Sequence, residues 1–482
     1  MSIYEKYEPV IGLEVHAQLL TQSKAFSSDS AAYGAAPNHH VSVISLGHPG
    51  TLPKLNEKVV RFAVRLGLAC NCTINRDNQF ARKNYFYADL PKGYQITQFD
   101  TPICTTGHIK ITVNGEEKTI GITRIHLEED AGKSIHDIDP FYTLIDLNRA
   151  GVPLLEMVSE PDIRSADEAY QYLTEVRKLV RYLDICDGNM EEGSLRCDAN
   201  VSVRIKGTEK FGAKVEVKNM NSIRNVKRAL EHEIKRQIEA LERGETIDQD
   251  TRTFDAVEGK TYTMRSKEMA HDYRYFTEPD LPPLFISQEY IDEVKGEMPP
   301  LPDELFKKYK EQLNLSDYDA GVLTDDKGVA LYFEELITKT ANYKAAANWV
   351  MGPVKSYLND QAVEIEDFPV SAERLAQLIE LVEKDQVSSS VATQRIFPEL
   401  VKNNDQHPEE IAKNLNLIQQ SDEDSIMELV HQALQRYPQK VEEYRSGKKG
   451  LIGLFMGEMM KLSGGKVDPK IANKLLREEL EK

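Results

Sequence analysis

The segment Val10-Ile-Gly-Leu-Glu-Val-His-Ala-Gln-Leu19 alternates between apolar and polar residues with a period of two. That period is typical of a β-strand with one buried face, so the sequence predicts a strand that packs on a core. The opposite face carries Glu14, His16 and Gln18, each about 6.6 Å from the next. A carboxylate, an imidazole and an amide in a row are unusual on a merely hydrated face, and this favours a functional role for the strand.

The segment Ser194-Leu-Arg-Cys-Asp-Ala-Asn-Val-Ser-Val-Arg204 repeats the alternation, and a short Val-rich segment follows it. The charged residues on the polar positions of these two segments are Arg196, Asp198, Arg204, Lys214, Glu216 and Lys218. If all these strands share a sheet, one face collects carboxylates, an imidazole and cations. Carboxylates with one imidazole suit a hard divalent cation such as Mg²⁺, and the Arg and Lys side chains suit phosphate oxygens. Spacing alone leaves open whether the strands are neighbours.

Two further segments bring carboxylates of the same kind. Thr119 to Glu129 is predicted to be a strand that follows an Asn114-Gly115 hairpin turn. Glu156 lies in an apolar run, where it is either a residue at the surface edge or a ligand. Burial of an unpaired carboxylate would cost several kcal/mol, which favours a counter-ion. Glycine-rich phosphate loops are absent, so ATP would have to be held by the sheet face.

The chain changes character near residue 290, from mixed short strands and helices to an almost purely helical pattern. We expect an α+β domain at residues 1–294, a helical domain at 295–405 and a small helical tail domain at 406–482. Within the first domain, a capping-box pattern at Ser165 predicts a helix to about Leu183, and Ser222 opens another before Gly244. In the tail, the glycines of residues 447–457 would let helices pack closely or approach a nucleic-acid backbone, and close packing is favoured.

The charge of the chain is strongly but unevenly acidic. The 482 residues carry a formal net charge of −18, which argues against electrostatic attraction to a nucleic acid. However, residues 363–430 contain 15 acidic and 5 basic residues, whereas residues 436–482 contain 11 basic and 7 acidic ones. The tail domain is therefore locally basic, and the overall charge does not exclude a nucleic-acid partner.

The cysteines and the first residues indicate a cytoplasmic protein. Five cysteines are few and odd in number, which does not suit a disulfide framework. The N-terminal segment lacks the pattern of a secretory signal, and no apolar run approaches the roughly 18–20 residues that span a bilayer. We therefore expect reduced thiols and no membrane partner.

Several longer motifs resemble one protein family in order along the chain. They are Val10-Ile-Gly-Leu-Glu-Val-His16, Arg82-Lys-Asn-Tyr-Phe-Tyr87, Gly93-Tyr-Gln-Ile-Thr-Gln-Phe-Asp100, His126-Leu-Glu-Glu-Asp-Ala-Gly-Lys133, Ser159-Glu-Pro-Asp162, Met190-Glu-Glu-Gly-Ser-Leu-Arg-Cys-Asp-Ala-Asn200, Lys218-Asn-Met-Asn-Ser222 and Asp272-Tyr-Arg-Tyr-Phe276. From Glu8 to the C-terminus the chain resembles the B-subunit family of aspartyl/glutamyl-tRNA amidotransferases, which belong to the heterotrimeric GatCAB complex.

The resemblance implies a fold, a reaction and partners. The first domain would be a cradle related to the glutamine synthetase catalytic fold, and the tail would be similar to the YqeY family. The reaction would be a carbon–nitrogen ligation in which ATP phosphorylates the side-chain carboxylate of Glu-tRNA(Gln) or Asp-tRNA(Asn), and ammonia from the A subunit, a glutaminase, displaces phosphate. The C subunit would brace the other two, and the segment from Lys83 to Gln95 resembles the part of the family near the ammonia route.

The resemblance also suggests roles for single residues. His16, Glu129 and Glu156 are expected to bind Mg²⁺ directly, with Glu14 and Asp198 close by or holding a second ion. Glu128 is the alternative to Glu129, because alternation puts their side chains on opposite faces. Among the residues above, Glu14, His16, Asp198 and Arg196 form the expected catalytic set. The expected nucleotide-binding set is Lys214, Glu216, Lys218 and Arg204.

One departure from the family pattern concerns zinc. Many members carry Phe-Cys-x-Cys and then Cys-x-x-Cys-Leu-Gly-x-Pro-Gly, but the matching positions here are Ser27, Asp29, Ser42 and Ser45. Three hydroxyls and one carboxylate cannot form a tight tetrahedral zinc site, so we expect no structural zinc. The nearby imidazoles of His39, His40 and His48 are the remaining candidate ligands.

Two other functions fit parts of the pattern. The chain could be a tRNA-binding scaffold without catalysis of its own, or a metal-dependent nuclease, which would leave the basic tail unexplained. In the favoured interpretation the tail contributes to tRNA binding, so losing residues beyond about Arg436 should abolish tRNA affinity and leave glutaminase activity of the complex. Whether Glu-tRNA, Asp-tRNA or both are used depends on the synthetases of the host cell.

Overall fold

The computed structural model describes residues 3–266, 273–403, 406–418, 423–464 and 467–482. The chain divides into two compact units, Met1–Leu301 and Pro302–Lys482. The first unit is rich in strands and the second is helical, which confirms the predicted α+β class.

The strands of the first unit run from β1 to β16 in chain order. Their bounds are β1 Tyr7–Gln18, β2 Thr73–Ile74, β3 Asp77–Asn78, β4 Ala81–Asn84, β5 Tyr94–Thr97, β6 Cys104–Val113, β7 Glu116–Glu129, β8 Lys133–Ile135, β9 Leu144–Asp146, β10 Pro153–Ser159, β11 Leu195–Ile205, β12 Val215–Lys218, β13 Asp250–Asp255, β14 Lys260–Ser266, β15 Phe276–Thr277 and β16 Leu284–Phe285.

Most of these strands join one large sheet. In the described part of the chain it has nine strands in the order β14-β13-β12-β11-β1-β10-β7-β6-β2. Neighbours are antiparallel except β12 and β13. The strands that carry the polar alternation are therefore direct neighbours, which the spacing of the sequence had left open. The hairpin between β6 and β7 turns at Asn114 and Gly115, both with positive φ, as predicted.

Helices cover one face of the large sheet. They are α1 Glu57–Ala69, α2 Ala166–Tyr182 and α3 Ile223–Glu242, and α4 Gln288–Gly296 packs on α1. The hydroxyls of Ser165 and Ser222 cap α2 and α3, as their sequences predict. Beneath these helices lie the apolar side chains of β1 and its neighbours, each contributing about 1.5–3 kcal/mol on burial. The alternate side chains of the same strands face away from this core.

A small sheet stands beside the large one, and we call it the wall sheet. Its strand order is β15-β4-β5. Lys83 pairs with Gln95 and Arg82 with Ile96, so the first pair shares one face of the wall sheet and the second pair shares the other. Strands β16 and β3 form one further pair, and β8 and β9 another.

The second unit consists of short helices. They are α5 Pro302–Glu311, α6 Asp317–Leu323, α7 Lys327–Leu336, α8 Tyr343–Trp349, α9 Lys355–Gln361, α10 Ala372–Glu383, α11 Ser389–Val391, α12 Phe397–Lys402, α13 Pro408–Asn414, α14 Glu423–Arg436, α15 Pro438–Arg445, α16 Ile452–Leu462 and α17 Pro469–Glu481. Two π-helical segments, Val350–Val354 and Ala392–Ile396, join α8 to α9 and α11 to α12. Short 3-10 turns occur at Ile3–Lys6, Ile365–Asp367 and Lys449–Leu451.

The two expected domain boundaries can be compared with the helices and compact units of the structure. Helix α4 runs through the expected boundary at 294/295 and belongs to the first unit. The expected boundary at 405/406 falls on residue 405, which lies outside the described residues, as does Asp272 of the last family motif. Residues between Ile426 and Leu480 form a core of their own.

The glycines of the tail do not pack as the sequence suggested. A Cβ added at Gly450, Gly453 or Gly457 would meet no described atom within 4 Å. The expected close helix packing at these glycines is therefore wrong within the described residues, because Gly450 in the 3-10 turn and Gly453 and Gly457 in α16 face no neighbouring helix.

Candidate metal and nucleotide site

The polar face of the large sheet is assembled by the register of its central strands. Strand β1 lies between β11 and β10, with Glu14 opposite Asp198 and His16 opposite Glu156. These polar side chains alternate with core residues, so they lie on the face that the helices leave uncovered. Two groups of possible metal ligands result, one on each side of β1.

We call the first group the inner cluster. It consists of His16, Glu128 and Glu156, whose candidate ligand atoms lie within 4.8 Å of one another. His16 Nε2 is 3.3 Å from Glu156 Oε2. Both carboxylates are buried, with exposed fractions of 4% for Glu128 and 7% for Glu156. Burial of this kind needs compensating charge.

His126 supplies part of that compensation. Its Nε2 lies 3.2 Å from Glu128 Oε1 and 3.3 Å from Glu156 Oε2. Burial lowers the pKa of His126, but Glu156 and then Glu128 raise it more, to about 9. Burial raises the pKa of Glu156, and His126 and His16 overcome this and hold it well below the usual range. The carboxylates of the inner cluster thus lie beside the imidazole of His126, whose positive charge would offset part of their negative charge.

Glu128, rather than Glu129, lies in the inner cluster, so the expected placement of Glu129 there was wrong. The side chain of Glu129 is on the other face of β7, where it pairs with Lys92 and accepts a hydrogen bond of 2.9 Å from the amide of Ile96. The physical reason is the alternation of β7: His126 and Glu128 share a face, and Glu129 does not. Because His126 lies opposite Glu156 in the register of β7 and β10, counting by twos from His126 selects Glu128.

We call the second group the outer cluster. It consists of Glu14, Asp198 and Glu216, whose ligand atoms again lie within 4.8 Å of one another. The ammonium of Lys218 pairs with Asp198 and lies 3.0 Å from Glu216 Oε1. The amide of Asn200 donates a 2.8 Å hydrogen bond to Glu14. Burial, followed by the charge of Glu156, raises the pKa of Glu14, so its ionised form lacks full compensation.

The remaining expected site residues belong to neither cluster. Arg196 pairs with Asp130 at 2.8 Å, and Arg204 pairs with Glu8 at 2.8 Å. Lys214 is exposed just before β12. Of the expected nucleotide-binding set, the structure brings only Glu216 and Lys218 to the outer cluster.

Both clusters fit a hard divalent cation. Each offers three ligand atoms close enough together to share an ion, and these are carboxylate oxygens with at most one imidazole nitrogen. Oxygen-rich donors suit Mg²⁺, and no thiol belongs to either cluster. All five cysteines are free, and they lie elsewhere.

The wall sheet adds residues that the sequence did not identify. Gln95 donates a 3.1 Å hydrogen bond to Glu128 Oε2 and a 2.7 Å one to the carbonyl of Glu129, and Thr97 donates a 3.0 Å one to Glu128 Oε1. The face with Gln95 therefore looks onto the inner cluster. The period of two in Tyr94–Thr97 could have shown that Gln95 and Thr97 share a face. Which part of the protein that face contacts depends on tertiary packing.

A cavity lies on the other face of the wall sheet. Its volume is about 240 Å³, and its lining includes Lys24, Arg82, Lys92, Tyr94 and Glu129. Burial lowers the pKa of Lys24 to about 8, against the attraction of nearby carboxylates. The wall sheet thus separates a charged cavity from the inner cluster.

The positions that match the family's zinc ligands come together around one carboxylate. Asp29 Oδ2 accepts hydrogen bonds from the hydroxyls of Ser27 at 3.0 Å, Ser42 at 2.8 Å and Ser45, and from the amide of Ser42 at 3.0 Å. Burial raises the pKa of Asp29, but the hydroxyls of Ser45, Ser42 and Ser27 and the amide lower it below its usual value. We call residues 21–53, within which these bonds join residues between Ser27 and Ser45, the Asp29 loop.

Comparison with known proteins identifies the family. Residues 9–292 match the GatB/GatE catalytic domain family, and residues 331–480 match the GatB domain family. A protein of Geobacter sulfurreducens named as the B subunit of aspartyl/glutamyl-tRNA(Asn/Gln) amidotransferase is 50% identical over 98% of this chain and 99% of its own length. A protein with the same name from Salinibacter ruber is 51% identical over 99% of this chain and 98% of its own length. Another from Caldicellulosiruptor saccharolyticus is 48% identical over 99% of this chain and 100% of its own length.

The chain therefore belongs to the GatB/GatE family. The match covers both units, so the resemblance seen in the motifs is confirmed. Among the described helices, none has both the length and the apolar content required to cross a membrane.

Proposed function

We propose that this chain is the B subunit of a tRNA-dependent amidotransferase that acts with the A and C subunits in the cytoplasm. Its substrates are Glu-tRNA(Gln), Asp-tRNA(Asn) or both, and its products are the corresponding amidated tRNAs. The observation that carries the proposal is the pair of carboxylate clusters on one face of the large sheet. Full-length relatives with the matching name support it.

The chemistry requires an activated carboxylate. An oxygen of the aminoacyl side-chain carboxylate attacks the γ-phosphorus of ATP, the bond to the β-phosphate oxygen breaks, and ADP leaves. The nitrogen of ammonia then attacks the acyl carbon, the carbon–oxygen bond to phosphate breaks, and a proton is lost to give the amide. Phosphoryl transfer depends mainly on positioning and charge neutralisation, which the polar face can supply.

The residues of the inner cluster would hold Mg²⁺, and those of the outer cluster a second ion. Bound Mg²⁺ supplies positive charge for the phosphate oxygens during transfer. Lys218 lies between Asp198 and Glu216, where its ammonium can bind a phosphate oxygen of the nucleotide. Arg196, held by Asp130, orients the strand end beside His16 and keeps a cation at the edge of the site.

Ammonia would come from the glutaminase partner by way of the cavity behind the wall sheet. The segment from Lys83 to Gln95, which resembles the family's part near the ammonia route, contributes β4 and β5 to this sheet. Gln95 on one face of this sheet donates to Glu128, and the cavity lies on the opposite face. The wall sheet is therefore the boundary that ammonia would cross.

Three finer features belong to the same proposal. The first unit would be a cradle related to glutamine synthetase, residues 406–482 a YqeY-like domain that binds tRNA, and the Asp29 loop a substitute for the family's zinc knuckle. Truncation at Arg436 would cut the core between Ile426 and Leu480, so charge substitutions test the tail more cleanly. Exposed Lys448 and Lys449 are suitable positions.

The test is ATP cleavage by the assembled heterotrimer. With the A and C subunits present, ADP formation should depend on added Glu-tRNA(Gln) or Asp-tRNA(Asn), and His16→Ala should abolish it while glutaminase activity remains. A His16→Ala complex with full ATP-dependent amidation would contradict catalysis at the inner cluster and favour a scaffold role for this chain.

A further inference from the structure

In the described part of the chain, Lys83 faces the inner cluster without an ion-pair partner. Lys83 is paired across strands with Gln95, so both side chains lie on the same face of the wall sheet. Gln95 on that face donates to Glu128 of the inner cluster. Within the described residues, Lys83 has no carboxylate within 4.0 Å, whereas neighbouring Arg82 on the opposite face is paired with Glu278 and Asp280.

The surroundings of Lys83 keep it charged. Its ammonium lies 5.1 Å from the centre of the Tyr273 ring, as in a cation–π contact. Burial lowers the pKa of Lys83, but Glu128, Tyr275 and Glu156 raise it above its usual value. A protonated lysine cannot act as a base toward ammonia, but it can bind an anion.

The position of Lys83 along the sheet indicates which anion it would bind. The cation of the outer cluster, Lys218, lies on β12, and the inner cluster extends to β7 on the other side of β1. Donor, transferred phosphoryl group and acceptor must lie roughly in line. If the nucleotide lies over β11 and β12, the acceptor lies over β10 and β7, where the wall sheet and Lys83 stand.

We propose that Lys83 binds the side-chain carboxylate of the aminoacyl group and is a catalytic residue of the amidation. One carboxylate oxygen takes the phosphoryl group, and Lys83 holds the other, which becomes the carbonyl oxygen of the acyl phosphate. When ammonia adds to the acyl carbon, negative charge develops on that oxygen, and the ammonium stabilises it without giving up a proton. The negative charge returns to the carbonyl bond as phosphate leaves.

This inference rests on the proposed function, and kinetics of the complete heterotrimer separate the two. Ammonium chloride as nitrogen donor removes any dependence on the glutaminase. Lys83→Met should raise KM for Glu-tRNA(Gln) about 10-fold and lower kcat by about 10–100-fold, because a charge-assisted hydrogen bond is lost. KM for ATP should change by less than about twofold, and Lys83→Arg should recover part of kcat, since it keeps the charge.

Lys110→Met is the matched control, because Lys110 is paired with exposed Glu117 on the hairpin of β6 and β7. The wild-type complex should also bind Glu-tRNA(Gln) about 10-fold more tightly than the uncharged product Gln-tRNA(Gln), a measurement that needs no variant. A rise in KM for ATP alone, unchanged kinetics of Lys83→Met, or equal binding of the two tRNAs would overturn the role of Lys83. A wild-type complex that forms no amide would contradict the proposed function itself.

Discussion

Glu14 and Asp29 are two carboxylates of the same unit with opposite surroundings. Glu14 lies beside the carboxylates of Asp198 and Glu216, and burial raises its pKa. Asp29 lies beside hydroxyls and a backbone amide that donate to it, and its pKa is lowered. The surroundings of Glu14 disfavour its ionised form, whereas those of Asp29 stabilise its ionised form.

The difference separates a site for chemistry from a structural feature. Carboxylates that face one another without enough donors favour a bound cation, and such arrangements are concentrated at functional sites. A carboxylate whose donors are all supplied by its own loop needs nothing further and contributes to stability. We therefore expect substitutions at the two residues to change different properties of the protein.

The largest effect is expected for Glu14→Gln. It should lower ATP-dependent amidation by about 10²–10³-fold, because the outer cluster loses one of its anionic ligands. In the absence of Mg²⁺ the free energy of unfolding should stay the same or rise by about 1 kcal/mol, since a poorly compensated charge is removed. Urea unfolding in EDTA, together with the ADP assay, measures both. If the variant lost free energy of unfolding as well as amidation activity, Glu14 would have a structural role instead.

The next largest effect is expected for Asp29→Ala, and it is the reverse. Loss of the acceptor for four hydrogen bonds should lower the free energy of unfolding of the first unit by about 2–4 kcal/mol. Formation of ADP by the protein that remains folded should fall by less than about threefold, since Asp29 is in neither cluster. Unfolding by urea and tRNA-dependent ADP release provide the comparison. If the variant lost ADP formation but kept the wild-type free energy of unfolding, Asp29 would not be a purely structural residue.

Lowering the pH should remove the same contribution of Asp29 to the free energy of unfolding. Because its pKa is lower in the folded protein, its stabilisation is fully present above the pKa of an unfolded Asp, about 3.9, and is lost as the pH falls through the folded value. Wild type should therefore lose more stability between pH 5 and pH 3 than Asp29→Asn does. Urea midpoints at several pH values give the two slopes, and parallel slopes would contradict the assignment.

The smallest effect is expected for Ser45→Ala. It removes one of the hydroxyls that donate to Asp29, and the remaining donors stay in place. We expect a loss of about 1–2 kcal/mol in unfolding free energy and no change in amidation. Thr51→Ala, which removes an exposed hydroxyl that bonds a backbone carbonyl in the same loop, is the control and should cost less. Equal losses at Ser45 and Thr51 would show that Asp29 is not the centre of the loop.

Much of the polar face could be predicted from local alternation. A strand with a period of two fixes which side chains share a face, and this identified Glu14, His16 and Asp198. Glu156 was identified as a lone carboxylate in an apolar run. The choice between Glu128 and Glu129 required the register of β7 against β10, where Glu156 is opposite His126. That pairing depends on contacts between segments about 30 residues apart.

Other parts of the site depend on tertiary packing alone. No local pattern shows that the face of β5 with Gln95 looks onto the inner cluster or that Arg204 is held by Glu8. In the Asp29 loop, the sequence showed that the thiols of the family pattern are missing, but the convergence of three hydroxyls on one carboxylate oxygen follows only from the folded path of the chain.

The closure of the Asp29 loop has a consequence for the conditions in which the protein can fold. Residues 21–53 contain no cysteine, and the bonds that close the loop come from groups of the loop itself. The segment has no thiolates whose metal ion a chelator could remove. It also has no sulfur atom that peroxides could oxidise. We therefore expect the loop to form without a supply of trace metal and to stay closed under oxidative stress.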